Sequence, residues 1–237
     1  MWTWIRGTFV IADMCSLADR YQHVKASLPG RVKLIAVSKT RSVEEVQALY
    51  EQGHRAFGEN YPQELKEKAG ALPKDIEWHF IGHLQRSNVK HVVGIAHLIH
   101  GVDSERLLEE IEKRSAQANI LTDVLLQVHI AQEETKHGFT PAEVLELVQR
   151  PALERALPHI RIRGLMGMAT NTEDISQVSR EFAGLAELFN RIKRNGPFPS
   201  GQFSELSMGM SSDAQLAMAQ GSTMVRIGTA IFGERSL

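Results

Sequence analysis

The sequence predicts one α/β domain, a closed (β/α)8 TIM barrel preceded by an extra N-terminal helix. Short aliphatic and β-branched runs alternate along the chain with longer amphipathic runs, the order of a parallel sheet with helical returns. The strand-like runs number eight, the number that closes such a barrel. The length, 237 residues, is close to the roughly 250 that one barrel needs. A doubly wound open sheet is the alternative. Its dinucleotide-binding form is weakened because no G-x-G-x-x-G follows the first strand.

The elements follow in order. Residues 1–13 carry two of the three tryptophans, Trp2 and Trp4, in a run too short and interrupted for a signal peptide. They are expected to be an extension outside the functional core, which leaves residues 14–237 as the barrel domain. Met14-Cys15-Ser16-Leu17 suits the start of a helix reaching about residue 27. The first strand spans residues 32–38, a run of valine, leucine, isoleucine and alanine that ends at Lys39. Ser42 and Glu45 fit a capping box for the next helix. Strands are expected at residues 55–58, 78–81 and 98–102. Residues 104–118 form the clearest helix, with Leu107, Leu108 and Ile111 on one side and Glu109, Glu112 and Lys113 on the other. A strand at 123–129 follows. The helix at 141–149 has Thr140 as its N-cap and Pro141 at its first position. Then come a strand at 160–167 and a long helix at 173–194 carrying Phe182, Leu185, Leu188, Phe189 and Ile192. Strands at 203–207 and 223–228 complete the count. The Gly196-Pro197-Phe198-Pro199-Ser200-Gly201 stretch is a loop, not a domain boundary.

Composition removes several function classes. Lysine and arginine total 27 against 28 acidic residues, a net charge of −1 with no basic stripe, so nucleic-acid binding is not expected. Cys15 is the one cysteine, which excludes an internal disulfide framework and a cysteine-rich zinc site and fits a reducing cytoplasm. No apolar run reaches membrane-spanning length. Among the ten histidines, His79 and His83 have the spacing of helical zinc ligands, but they fall on a strand and its end. Four residues of strand span about 13 Å, too far for one ion about 2 Å from each ligand, so no metal site is expected.

In a barrel, functional groups gather at the C-terminal ends of the strands. Those ends carry Lys39, Glu59-Asn60-Tyr61, Gly82-His83, Asp103, His129, Met166-Gly167-Met168, Ser207-Met208-Gly209-Met210 and Gly228-Thr229. Taken alone, Lys39 is more often a solvated loop lysine. The loops after the last two strands change that balance, because barrels often hold a phosphate there on backbone N–H groups. Ser207, Gly209, Gly228 and Thr229 are small or hydroxylated and suit that task, although the glycines could serve tight turns only. Ser211, Ser212 and Asp213 are expected to cap the helix that follows. A rim lysine beside a phosphate cradle suggests a phosphorylated carbonyl compound held as a Schiff base. Pyridoxal phosphate (PLP) and a sugar-phosphate aldolase substrate both fit. Arg226 points inward by strand alternation and only donates, so a pyridine nitrogen facing it would stay unprotonated. An arginine paired to a barrel carboxylate is the bland alternative.

The motifs together resemble the pyridoxal phosphate homeostasis proteins. They are Leu34-Ile35-Ala36-Val37-Ser38-Lys39-Thr40, Phe57-Gly58-Glu59-Asn60-Tyr61, Trp78-His79-Phe80-Ile81-Gly82-His83-Leu84-Gln85, Ile99-His100-Gly101-Val102-Asp103-Ser104, Gly164-Leu165-Met166, Leu206-Ser207-Met208-Gly209-Met210-Ser211 and Val225-Arg226-Ile227-Gly228-Thr229-Ala230-Ile231-Phe232-Gly233. They cover nearly everything from Arg31 to Gly233. The resemblance implies a barrel like the N-terminal domain of alanine racemase, with PLP as a Schiff base on Lys39. It implies Ser207, Gly228 and Thr229 at phosphate-contacting positions, Arg226 facing the pyridine nitrogen and Asn60 in the cofactor pocket. With the rim neighbours His83, Met166, Met208 and Gly209 these make up the expected cofactor-binding set. One local departure concerns Arg86-Ser87-Asn88-Val89-Lys90, where Ser87-Asn88 stands in place of the family's Asn-Lys pair; Lys90 could replace that lysine only if the loop shifts.

The resemblance also implies a carrier that buffers or delivers PLP inside the cell, without established catalysis. Two-base racemisation needs an acid/base on each face of the substrate carbanion. In alanine racemase the second is a tyrosine from an added β domain, which is not expected here, since the sequence ends at Leu237 shortly after the eighth strand. Tyr61 is the one tyrosine expected near the rim. A PLP enzyme with weak racemase or lyase activity is the alternative, and an aldolase the third reading. Apo PLP-dependent enzymes are candidate recipients of the cofactor, and the chain is expected to be a cytoplasmic monomer.

Overall fold

The computed structural model describes residues 16–133 and 137–234. The expected extension at residues 1–13 lies outside them, as do Met14 and Cys15. Eight parallel strands close into a barrel in sequence order, β1 Lys33–Val37, β2 Ala56–Glu59, β3 Glu77–Phe80, β4 Leu98–Val102, β5 Thr122–Val128, β6 Ile160–Gly167, β7 Glu205–Ser207 and β8 Met224–Ile227. Closure is made by β1 against β8, with Lys33, Leu34, Ile35 and Ala36 opposite Met224, Val225, Arg226 and Ile227.

Helices cover the outside. The extra helix, α1 Leu17–Ser27, is capped by Ser16, whose hydroxyl accepts from the Asp19 N–H at 3.1 Å. The barrel helices are α2 Val43–Glu51, α3 Pro62–Ala71, α4 Glu105–Ala118, α5 Pro141–Gln149, the single turn α6 Leu153–Ala156, α7 Ile175–Asn195, α8 Ala214–Ala219 and α9 Thr229–Phe232. The caps expected at Ser42 and Thr140 act as such, whereas Asp213 takes the N-cap position of α8 without a side-chain capping bond. Ser42 and Glu45 form a reciprocal box on α2, and Thr140 and Glu143 form another on α5. The apolar faces read from α4 and α7 are the faces they bury, Leu107, Leu108 and Ile111 on one and Phe182, Leu185, Leu188, Phe189 and Ile192 on the other.

One return and one strand differ from the expected pattern. Between β3 and β4 the chain makes a 3-10 helix, Arg86–His91, instead of an α-helix. Its sequence offers a single buried apolar residue, Val89, too little to hold an amphipathic helix against the barrel. The seventh strand is shorter than residues 203–207, because Phe203 leaves the sheet to stack on Phe189 and Phe198.

Inside the barrel, Ile35, Ala56, Leu98, Leu125, Met166 and Met224 form an apolar layer separate from the larger core under the helices. Below it the N-terminal strand ends are tied by ions: Lys33 pairs with Glu77, and Arg161 and Arg163 both pair with Asp123. Above it the filling becomes polar and the site begins.

Candidate functional site

Lys39 leaves the end of β1 on a backbone held from both sides. Thr40 adopts a left-handed conformation with φ of 62°, uncommon for a β-branched residue. Its N–H donates to Glu64 Oε2 at 2.8 Å and its hydroxyl to the Lys39 carbonyl at 2.6 Å. On the other side, the Ser38 carbonyl accepts from Lys68 Nζ at 2.7 Å, and its hydroxyl donates to Glu59 Oε1 at 2.6 Å. Lys68 also pairs with Glu59 at 2.8 Å and Glu64 at 2.9 Å, while burying its own chain to 4% exposure. Burial pushes the Glu59 carboxyl up, and its bonds to Lys68 and Ser38 pull it partly back. For Glu64 burial is outweighed by Lys68 and the Thr40 N–H, which hold it low. Backbone strain at one neighbour and a buried ion cluster at the other thus set where Lys39 starts.

Arg226 enters from β8 on the same inward face as Met224. Its hydrogen bonds run to the Ser207 hydroxyl at 2.7 Å, the Ser207 carbonyl at 3.0 Å and the Gly167 carbonyl at 3.3 Å. These are oxygens of the strand ends, not a barrel carboxylate. Burial lowers its pKa to about 10, with the charge of Asp213 opposing, so the guanidinium keeps its charge at neutral pH. The chain continues into the interior: Ser207 Oγ lies 2.9 Å from His100 Nδ1, and His100 Nε2 lies 2.9 Å from His79 Nδ1. His79 Nε2 ends the series, buried and without a partner among the described residues.

Lys39, Asn60, Arg226, Gly228 and Thr229 line one cavity of about 430 Å3. Val37, Arg41, Ile81, Met168, Met210, Ser211 and Ser212 complete its wall. Asn60 Oδ1 is buried and, among the described residues, has no hydrogen-bond partner. A β-carbon on Gly228 would come within 3.2 Å of Val37, so glycine lets β8 close onto β1 beside the lysine. The volume suits a small cofactor. A wider groove of about 630 Å3 adjoins it and shares Met168, Met210 and Ser212, but has no basic residue in its wall.

Five of the ten residues expected to contact a cofactor converge in this cavity. The other five lie elsewhere. Ser207 is fully buried, with its hydroxyl engaged by Arg226 and His100. Met166 fills the interior layer, and Met208 points to the core under the helices. Gly209, with φ of 95°, lets its loop press onto α8, where a β-carbon would fall 2.6 Å from Ala217 Cβ. His83 stands half exposed on the rim beside Asp103. Sequence reasoning assigned Ser211 and Ser212 to helix capping, whereas they line the cavity. It passed over Arg41 and Lys68. The available signal for Lys68 was its place three residues after buried Leu65 and four after Glu64, a lysine on the inner face of its helix. Lys90 is exposed in the 3-10 helix and does not line the cavity, and Tyr61 is half exposed at the start of α3.

The interior histidines carry a pH dependence. Burial lowers His54 to about 4, and pushes His79 and His100 well below the ordinary imidazole range, helped by His100 on the first and Arg226 on the second. All three are neutral in the fold at pH 7. Unfolded imidazoles bind a proton near pH 6.5, so between there and the folded values the unfolded state holds more protons, and stability falls as pH falls. For His54, whose folded value is about 4, the loss at pH 5 is about 2 kcal/mol, and His79 and His100 act in the same direction. Glu59, held up by burial, acts in the opposite direction and loses its contribution as pH rises. Denaturant unfolding at pH 7.5 and pH 5 is expected to show a clearly lower midpoint at pH 5; equal midpoints would contradict the neutral interior.

A rim lysine and an inward arginine on one cavity of a closed parallel barrel define a member of the class built on the alanine racemase N-terminal barrel, and the model of that domain family matches residues 12–236. Within that class, the chain belongs to the pyridoxal phosphate homeostasis proteins. The protein of that name from Aquifex aeolicus is 42% identical over 206 residues, 86% of this chain and 87% of the relative. The structure of PipY from Synechococcus elongatus without PLP superposes with a TM-score of 0.85 at 34% identity, covering 92% of this chain and all of that one. The structure of PipY with PLP bound gives 0.79 at 33% identity over the same share. Among the described residues no helix is long and apolar enough to cross a membrane.

Proposed function

We propose that this chain binds pyridoxal 5'-phosphate covalently through Lys39 and serves intracellular PLP homeostasis by buffering or delivering it. The observation that carries the reading is the convergence of Lys39 and Arg226 on one cavity lined also by Asn60, whose buried Oδ1 has no partner among the described residues. Bound there, the cofactor supplies an aldehyde that joins reversibly to an amine and a ring that withdraws electrons from it. The residues present fit it. Ser211, Ser212 and Thr229 offer hydroxyls, and Thr229 and Ala230 open the first turn of α9, where N–H groups lack acceptors within the helix. Gly228 allows close approach to that backbone.

Arg226 has no proton to exchange, because a guanidinium only donates. Its fork is held by Ser207 and Gly167, so it keeps any ring nitrogen opposite it in the accepting, unprotonated form. That arrangement makes the ring a weaker electron sink. The relatives carry the name of homeostasis proteins and not of enzymes. The reading extends to a cytoplasmic monomer that passes PLP to apo-enzymes, with residues 1–13 outside the binding unit.

The test is an absorption spectrum of the purified chain with added PLP, then borohydride reduction and peptide mass mapping. A yellow protein whose reduced pyridoxyl group maps to Lys39 is the expected result. No chromophore after PLP is added, or a label on another lysine, overturns the site.

A further inference from the structure

A second set of groups gathers on the rim apart from the cofactor cavity. His83 follows β3, Asp103 follows β4, and His137 lies in the return after β5. One nitrogen or oxygen from each lies within 4.8 Å of the other two. His83 Nδ1 is 3.1 Å from Asp103 Oδ2, and the two imidazoles stack with centroids 4.4 Å apart and 24° between planes. None of the three lines the cavity that holds Lys39 and Arg226.

We propose that His83, Asp103 and His137 form a binding site for a zinc-class divalent transition-metal ion. Two imidazole nitrogens and one carboxylate oxygen make a donor set of intermediate softness, which suits zinc and its neighbours better than calcium or magnesium with their all-oxygen shells. Three protein ligands leave a fourth position for water, the open form of a zinc site. Ligand atoms about 2.0–2.1 Å from a tetrahedral ion are about 3.3 Å from each other. The His83–Asp103 pair, at 3.1 Å, already has that spacing. His137 closes the set by turning its exposed ring, at a reach of no more than 4.8 Å.

The surroundings aim these groups. Ser104 Oγ donates to Asp103 Oδ1 at 3.1 Å, which leaves Oδ2 for the ion. The backbone of His137 is tied to the end of β5: Gln127 Nε2 donates to its carbonyl at 2.7 Å, the next pairing is Phe139 N–H to the Gln127 carbonyl at 2.8 Å, and His129 N–H reaches the Phe139 carbonyl at 2.9 Å. Exposure of both imidazoles gives an ion an open path. The expectation of no metal rested on pairing His83 with His79. The barrel sends His79 inward to His100 and leaves His83 to two partners 20 and 54 residues further along the sequence.

The test is calorimetric titration of the purified full chain with zinc chloride, beside its His137→Ala, Asp103→Asn and His97→Ala variants. One zinc per chain is expected, with affinity lower by about tenfold or more in each of the first two variants. The His97→Ala variant, which removes an exposed histidine outside the cluster, is expected to bind like the parent. Circular dichroism establishes that the variants fold. A measurement on the unmodified chain needs no variant: cobalt(II) is expected to give the intense visible absorption of a four-coordinate ion. Absence of zinc binding, unchanged affinity in both cluster variants, or the weak spectrum of hydrated cobalt would overturn the site and leave an ordinary imidazole–carboxylate hydrogen bond.

Discussion

Gly164→Ala is expected to destabilise the barrel by about 3 kcal/mol or more, enough to abolish soluble folded protein in many backgrounds. The residue sits in β6 with φ of 155°, a conformation that residues with a β-carbon rarely adopt. An added β-carbon would stand 1.7 Å from the Glu205 carbonyl oxygen and 2.7 Å from its carbon. Those atoms are backbone of the neighbouring strand and cannot yield without opening the β6–β7 pairing. The cause is a bulge: Ile162 pairs with Val124, and Gly164 with Leu125, so Arg163 is an extra residue on β6. The bulge lets Arg163 turn back to Asp123 beside Arg161. Gly184→Ala supplies the contrast. Gly184 lies within α7 with nothing within 4 Å of an added β-carbon, so alanine there is expected to stabilise by up to about 1 kcal/mol. Denaturant midpoints of the two variants measure both; a Gly164→Ala protein as stable as its parent would refute the bulge.

Lys68→Met is the second large effect, with an expected loss of about 3 kcal/mol. The substitution removes three hydrogen bonds at once, to the Ser38 carbonyl, Glu59 and Glu64. Glu59 is then a fully buried carboxyl with Ser38 as its remaining donor and an Oε2 that even now has no hydrogen-bond partner among the described residues. Its pKa, already raised by burial, rises further once the lysine is gone. A carboxyl raised in the fold contributes stability at low pH and loses it as pH rises through the folded value. The variant's deficit is therefore expected to be larger at pH 8 than at pH 5. Glu59→Gln combined with Lys68→Met removes both charges and is expected to recover part of the loss, because an unpaired buried ion costs more than an absent pair. A deficit independent of pH, with no recovery in the double variant, would mean that Lys68 acts through packing alone.

The strands were legible because each is a local run. Seven of the eight lie within about one residue of where their apolar pattern places them, and β7 starts two residues late because Phe203 is lost to an aromatic stack with residues on another helix and loop. Lys39, Asn60, Arg226, Gly228 and Thr229 were legible for a related reason: strand ends and period-two alternation say which residues face the mouth of a barrel. Ser207 shows where this reasoning stops. Its place at the end of a strand was legible, but the partners that claim its hydroxyl, Arg226 and His100, are 19 and 107 residues away in sequence.

The sequence by itself determined the order and number of strands, the helix caps at Ser42 and Thr140, the family, and the lysine and arginine that face the cavity. Periodicity, capping chemistry and short motifs are properties of neighbours in the chain, so a sequence displays them. Tertiary structure alone decided which hydroxyls reach the cavity, why Lys39 is anchored by Glu59, Glu64 and Lys68, and how His83 meets Asp103 and His137. These depend on the closure of β8 onto β1 and on how far each return carries the chain along the rim. Closure brings together side chains from distant strands, and no local run specifies their distances.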